Sequence, residues 1–175
     1  GVKHFILFLG LLLPILLDAA PLPDGVRTRR VLNYPNCFEL SNADASVTLG
    51  HHVGGRVLSY RLKDKEALYL NPAEADWKST KRKLVTAGRF DIGPEYLIPK
   101  REILWSGTWK TEPIGPRAVR MTSQADEATG VQLIREFRLA KSGSHLSCRQ
   151  IIQNISSETK RWCHWSRTFA NHGGI

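Results

Sequence analysis

In the stretch GVQLIREFRLA, residues 130–140, Val131, Leu133, Phe137 and Leu139 alternate with Gln132, Glu136 and Arg138. Successive side chains of an extended chain point to opposite faces, so a period of two describes a strand with one face buried and the other in water. No segment after residue 20 sustains the apolar spacing of an amphipathic helix. The chain is therefore expected to be all-β, and its many short apolar runs predict an antiparallel β-sandwich.

CFELS (37–41), SVTLG (46–50), GRVLSYRL (55–62) and EALYLNP (66–72) follow in quick succession, each rich in β-formers and closed by Asn, Asp, Gly or Pro. Lys63-Asp64-Lys65 predicts a hairpin turn, and the whole run reads as a meander. Residues 72–116 differ, because Pro72, Pro94, Pro99, Pro113 and Pro116, with Gly88, Gly93, Gly107 and Gly115, break any long element. Proline lacks the donor that a central strand requires, so this region is expected to be loop with short strands. It holds Trp77, Trp105 and Trp109, and aromatic loops on a sheet scaffold are where ligand contacts collect. HLSCRQIIQNIS (145–156) and KRWCHWSRTFA (160–170) are expected to pair as a hairpin about Ser156-Ser157-Glu158-Thr159.

At the start, GVKHFILFLGLLLPILLDAA places Lys3 before a thirteen-residue apolar run, Phe5 to Leu17. That run is shorter than the roughly 20 residues a bilayer needs and fits the plan of a secretory signal. Cleavage after Ala19 predicts a periplasmic or secreted protein with no membrane span left; an uncleaved anchor is the alternative. PLPDGVRTRR reads as a polar linker. The expected division is a signal at 1–19, a linker at 20–35 and, at 36–175, the N-terminal part of a β-sandwich domain. With Gly1 in place of Met, and Ile175 following a Gly pair in what reads as sheet, the chain is expected to be a fragment.

A formal charge of +9 invites a nucleic-acid reading. The basic residues are scattered singly, only KSTKRK (78–83) is a run, and no recognisable module accompanies it, so no nucleic-acid partner is expected. Cys37, Cys148 and Cys163 are too few and too widely spaced for a zinc site. The expected hairpin sets Cys163 opposite Ile152 and Cys148 opposite Arg167, beyond the roughly 7 Å Cα separation of a disulfide. Reduced, core-like cysteines are expected. His51, His52 and His172 are read as no metal site, since neighbours on a strand point to opposite faces. No cofactor is expected.

Among candidate ligand contacts, Arg56 follows Gly54-Gly55 and presents either a planar fork for sugar hydroxyls or a carboxylate, or a solvated strand position beside a bulge. Glu95, in GPEY, is either a hydroxyl acceptor or general base, or an exposed turn acid. Trp105 and Trp109, in LWSGTW, can stack on a sugar ring or cap the sheet, and one of the two is expected in a cleft.

SVTLGHHVGGRVLSYRLKDKEALYLNP (46–72) resembles the opening hairpins of the galactose mutarotase-like superfamily, which includes aldose epimerases. TSQADEATGVQLIREFRLAKSGSHLSCRQIIQNISSETKRWCHW (122–165) resembles its central strands, and the likeness points to exported bacterial members. The resemblance implies a supersandwich with a carbohydrate cleft on its concave face. It also implies His164 as general acid toward the ring oxygen, with the general base, a Glu, beyond residue 175. The family's Asn-His-x-Tyr-Phe-Asn stretch is here Trp162 to Arg167, a departure. By strand parity His164 shares a face with Trp162, Ser166 and Thr168, while Arg167 shares the other with Cys163, Trp165 and Phe169. If the Cys163 face is core, His164 looks into the cleft; if reversed, Arg167 lines it. The expected function is an exported carbohydrate-binding sandwich, epimerase-like or accessory to polysaccharide metabolism, whose partner is a mono- or oligosaccharide, acidic ones included. The alternative is a non-catalytic structural or interaction domain of the cell envelope.

Overall fold

The computed structural model describes residues 21–79 and 84–172. The secretory signal expected at 1–19, and most of the basic run, lie outside the described residues. The chain forms strands β1 (Val26–Val31), β2 (Tyr34–Ser41), β3 (Ala45–Gly50), β4 (Arg56–Leu62), β5 (Lys65–Glu66), β6 (Gly88–Gly93), β7 (Lys110–Gly115), β8 (Ala118–Thr122), β9 (Val131–Leu139), β10 (Leu146–Asn154) and β11 (Cys163–Thr168). A 3-10 turn at Pro72–Asp76 and a short helix α1 at Glu102–Ser106 complete the elements.

Two antiparallel sheets pack face to face, one in the order β1-β2-β3-β4-β6-β11 with β5 beside β4, the other β10-β9-β8-β7. The protein is an all-β sandwich, as the period-two pattern requires. Along β9 every odd residue from Val131 to Leu139 is buried. Val119, Met121, Leu133 and Phe137 of the small sheet meet Leu40, Val47, Leu49, Val57 and Ile92 of the large one in a single apolar core. Burying such side chains supplies about 1.5–3 kcal/mol each. Pro113 sits in β7, an edge strand, beside a register shift at Gly115, where a residue without an N–H is tolerated. The outer face of the small sheet is a charge ladder: Arg120 stands opposite Glu136 and pairs with it at 2.7 Å, with Glu112 and Arg149 on either side.

Three expectations need correction. Residues 26–31, expected within a linker, form β1, with Val26 facing Leu40 across the β1–β2 ladder and its side chain in the core. Of EALYLNP only the first residue lies in a strand; beyond it Leu68 makes one isolated bridge, to Ala170. The segments 145–156 and 160–170 do not pair with one another. β10 pairs β9, with Cys148 opposite Phe137, and β11 crosses to the other sheet and pairs β6, with Cys163 opposite Gly93. The Asn154 side chain turns the chain locally, accepting from the Ser156 N–H at 2.9 Å and donating to the Glu158 carbonyl at 2.7 Å. Trp162 Nε1 then donates to the Thr129 carbonyl at 2.9 Å, holding the chain at the entry to β11. All three cysteines are free, for this different reason; Cys37 is buried and Cys148 half-buried, but Cys163 is exposed rather than core-like. Burial pushes the thiols of Cys37 and Cys148 each up to about 11.

The outer face of the large sheet is not bare. A second apolar cluster of Tyr34, Cys37, Val53, Leu58 and Val85, with Trp77 and Trp105 packed against it, lies on that side.

Candidate functional site

β6 and β11 bring their outward residues into direct register: Arg89 faces Arg167, Asp91 faces Trp165, and Gly93 faces Cys163. Over this face lies α1, held by Asp91. That carboxylate is buried, accepting from Arg101 Nε at 2.9 Å and Nη2 at 2.6 Å and from the Ile92 N–H at 2.8 Å. On the far side of α1, the Gly54 N–H donates to the Gly107 carbonyl at 3.0 Å and the Trp109 N–H to the His51 carbonyl at 2.7 Å. The helix is only five residues long, and these contacts rather than its own hydrogen bonds fix it.

So placed, α1 lays the Trp105 ring on Arg89, 3.6 Å from the guanidinium carbon to the ring centroid. The same guanidinium lies 5.3 Å from the Trp165 ring, and Arg167 lies 5.1 Å from that ring. Cations on indole faces are attracted by the ring quadrupole. Burial first, and then the nearby Arg167, push the Arg89 pKa down, against the opposite pull of Asp91 and Glu95.

Beside this stack opens a cleft of about 250 Å³ lined by Glu95, Lys100, Arg101, Glu102 and Trp105. Arg101 is engaged by Asp91, but Glu95, Lys100 and Glu102 are exposed and make no ion pair among the described residues. A second hollow of about 310 Å³ on the outer face of the large sheet is lined by Arg29, Ser59, Arg61, Glu66, Tyr69 and Asn171, among others. The one carboxylate among its described lining residues, Glu66, already accepts from Ser59 Oγ and from the Tyr60 and Leu68 N–H groups. The smaller cleft is therefore the better candidate, because its acids and its ammonium are uncommitted.

The expected site residues divide among separate places. Glu95 and Trp105 line one cleft, and Arg167 stands on the same outer face of the large sheet. Trp109 is core: it is 1% exposed, donates from Nε1 to the Leu104 carbonyl at 3.3 Å and lies under Arg135. Arg56 is neither a solvated strand residue nor open to a ligand. Fully buried, it donates from Nε to the Val53 carbonyl (3.1 Å), from Nη1 to the Thr86 carbonyl (2.6 Å), and from Nη2 to Tyr34 OH (3.1 Å) and the Glu74 carboxylate. His164 points the other way, alongside Ile92; it is exposed, at the rim of a crevice shared with Leu133, Arg135 and Gln150 that has no room for a solvent molecule. The β11 register runs without a bulge from Cys163 to Thr168, so His164 and Arg167 are on opposite faces. His51 and His52, expected on opposite faces, instead stack at 3.9 Å, because they sit in a bend rather than a strand.

The residues that sequence reading missed are Arg89, Asp91, Arg101, Trp165 and Arg135. GRFDIG carries its own signal, since a period of two puts Arg89 with Asp91 on one face and Phe90 with Ile92 on the other. Arg135 breaks the apolar parity of β9: it sits on the buried face, donating to the Gly54 and Gly55 carbonyls at 2.7 and 2.5 Å, and burial pushes its pKa down to about 10.

Compared with protein-family models, curated proteins and solved structures, the chain matches none. Fold and site together define a two-sheet antiparallel sandwich with a cleft on the outer face of its larger sheet that is lined by an indole, two acids and two bases.

Proposed function

We propose that the protein is an exported, periplasmic or secreted, carbohydrate-binding sandwich of the galactose mutarotase-like type, and that it takes its sugar in the cleft beside α1. The observation that carries this reading is the half-buried Trp105 ring lining the same cleft as the uncommitted Glu95, Lys100 and Glu102. An indole offers an apolar plane to the C–H face of a pyranose. Ionised carboxylates accept from sugar hydroxyls, and an ammonium donates to them. Ring opening by an epimerase needs an acid and a base converging on one sugar, and His164 lies on the opposite side of β11 from this cleft. Binding is thus the activity supported here.

Calorimetric titration of the protein with neutral and uronic oligosaccharides tests it. Binding is expected with at least one of them, weakened about tenfold or more by Trp105→Ala, as befits loss of a stacking plane. Absence of binding to every sugar overturns the reading, and leaves the structural or interaction domain of the envelope in its place.

A further inference from the structure

Arg89 and Arg167 stand directly opposite one another across β6 and β11. Like charges in that position repel. Neither makes an ion pair among the described residues. Of the two carboxylates that act on Arg89, Asp91 is gripped through both oxygens by Arg101, and Glu95 is turned to the cleft. Arg89 Nε is buried with no hydrogen-bond partner. Arginines on an edge strand discourage aggregation, a role open to the exposed Arg167 of β11 but not to Arg89, which stands on β6 inside the sheet and is half-buried under Trp105. The fold thus maintains two facing planar cations without an ion-pair partner among the described residues, Arg89 between the Trp105 and Trp165 indoles and Arg167 against Trp165, next to a cleft already suited to a sugar.

We propose that Arg89 and Arg167 form a seat for an oxyanion, and that the carbohydrate bound beside Trp105 is an acidic one whose carboxylate or sulfate bridges the two guanidiniums. Guanidinium forks match planar oxyanions and form charge-assisted hydrogen bonds with them. An anion there removes the cross-strand repulsion at the same time. The sugar in this proposal rests on the carbohydrate reading above; the oxyanion seat does not.

The test is titration of the full chain with a galacturonate trimer, its carboxyl-reduced galactose counterpart, a sulfated galactose trimer and inorganic sulfate alone. Arg167→Gln, Arg167→Lys and Arg149→Gln accompany the wild type. Arg167 and Arg149 are both exposed, and Arg149 lies on the far sheet, so it controls for the loss of one positive charge anywhere. The acidic trimers are expected to bind about tenfold or more tighter than the reduced one, with galacturonate against sulfate affinity naming the anion. Arg167→Gln is expected to abolish that preference, Arg167→Lys to retain part of it, and Arg149→Gln to leave it intact. Equal affinity for acidic and reduced trimers, unmoved by Arg167→Gln, overturns the oxyanion seat while the carbohydrate reading stands. Binding of inorganic sulfate that Arg167→Gln removes, with no sugar bound, supports the seat and overturns the carbohydrate reading. Should nothing bind, both fall.

Discussion

His52 is the residue whose surroundings most clearly set a pH limit on the fold. Its ring is buried against Tyr34 at 5.3 Å, Trp77 at 4.9 Å and His51 at 3.9 Å, and its Nδ1 has no partner. Burial first, and then the neighbouring His51, hold its pKa down to about 4, against 6.5 for the free side chain. Between those two values the unfolded chain binds the proton and the folded one does not. Stability is therefore full above about pH 6.5, falls as the pH drops toward 4, and gains no further loss from this group below it, for a total of about 3 kcal/mol. Urea midpoints measured across that window are expected to fall, and to fall less in His52→Phe; an unchanged slope in the variant would show that other groups set it. Gly55 limits the fold by space rather than charge. Its φ is +51°, and a Cβ there would sit 2.5 Å from the Trp109 ring. Gly55→Ala combines left-handed backbone strain with overpacking, for an expected loss of about 2–4 kcal/mol by urea denaturation.

Among elements, the segment between β5 and β6 is held down by a pair of charges that no local pattern reveals. Glu74, in the 3-10 turn, accepts from Arg56 of β4 and also from Tyr34 OH at 3.1 Å and the Thr86 N–H at 2.9 Å. Arg56 and Glu74 are 18 residues apart in sequence, and both are essentially without solvent contact. Glu74→Ala strands the guanidinium in the interior and is expected to destabilise by about 3–5 kcal/mol. The double substitution Arg56→Met with Glu74→Leu removes both charges and keeps the volume, so it is expected to cost less than Glu74→Ala alone. A double variant less stable than the single one would mean that the backbone carbonyls served by Arg56, rather than the ion pair, dominate. This is also why neither sequence reading of Arg56 fits: a polar residue after a glycine pair suggests a bulge with a solvated side chain or a ligand contact, but its partners are supplied by a distant loop. Trp105 and Glu95, nominated from sequence by side-chain type alone, line one cleft. Arg89 was not nominated, because its meaning lies in facing Arg167 and in the occupation of Asp91 by Arg101.

At the scale of the whole molecule the same division between local and distant information holds. The period of two in β9 and the meander of β2, β3 and β4 are written in contiguous residues, so the sandwich was legible. The transfer of β11 to the far sheet depends on the free edge of β6, some seventy residues earlier, and a sequence-local turn at 156–159 pointed to the wrong neighbour. That crossover has a measurable consequence. β9 is paired along its whole length by β10 and from Ile134 to Arg138 by β8, and its inward residues Val131 and Phe137 are fully buried. Among the described residues β11 is paired only with β6, and its residues are exposed on both faces apart from the half-buried Trp165. Opening free energy follows burial and pairing, so amides of β9 are expected to exchange with solvent slowest, and those of β11 among the fastest of the strands. Addition of an acidic oligosaccharide is expected to slow exchange in β6, β11 and α1 and leave β9 unchanged, because only the first three carry the cleft and its arginines. Exchange in β11 as slow as in β9 without ligand would instead mean that another strand covers its free edge, and that the outer face of β11 answers to a protein neighbour as well as to a sugar.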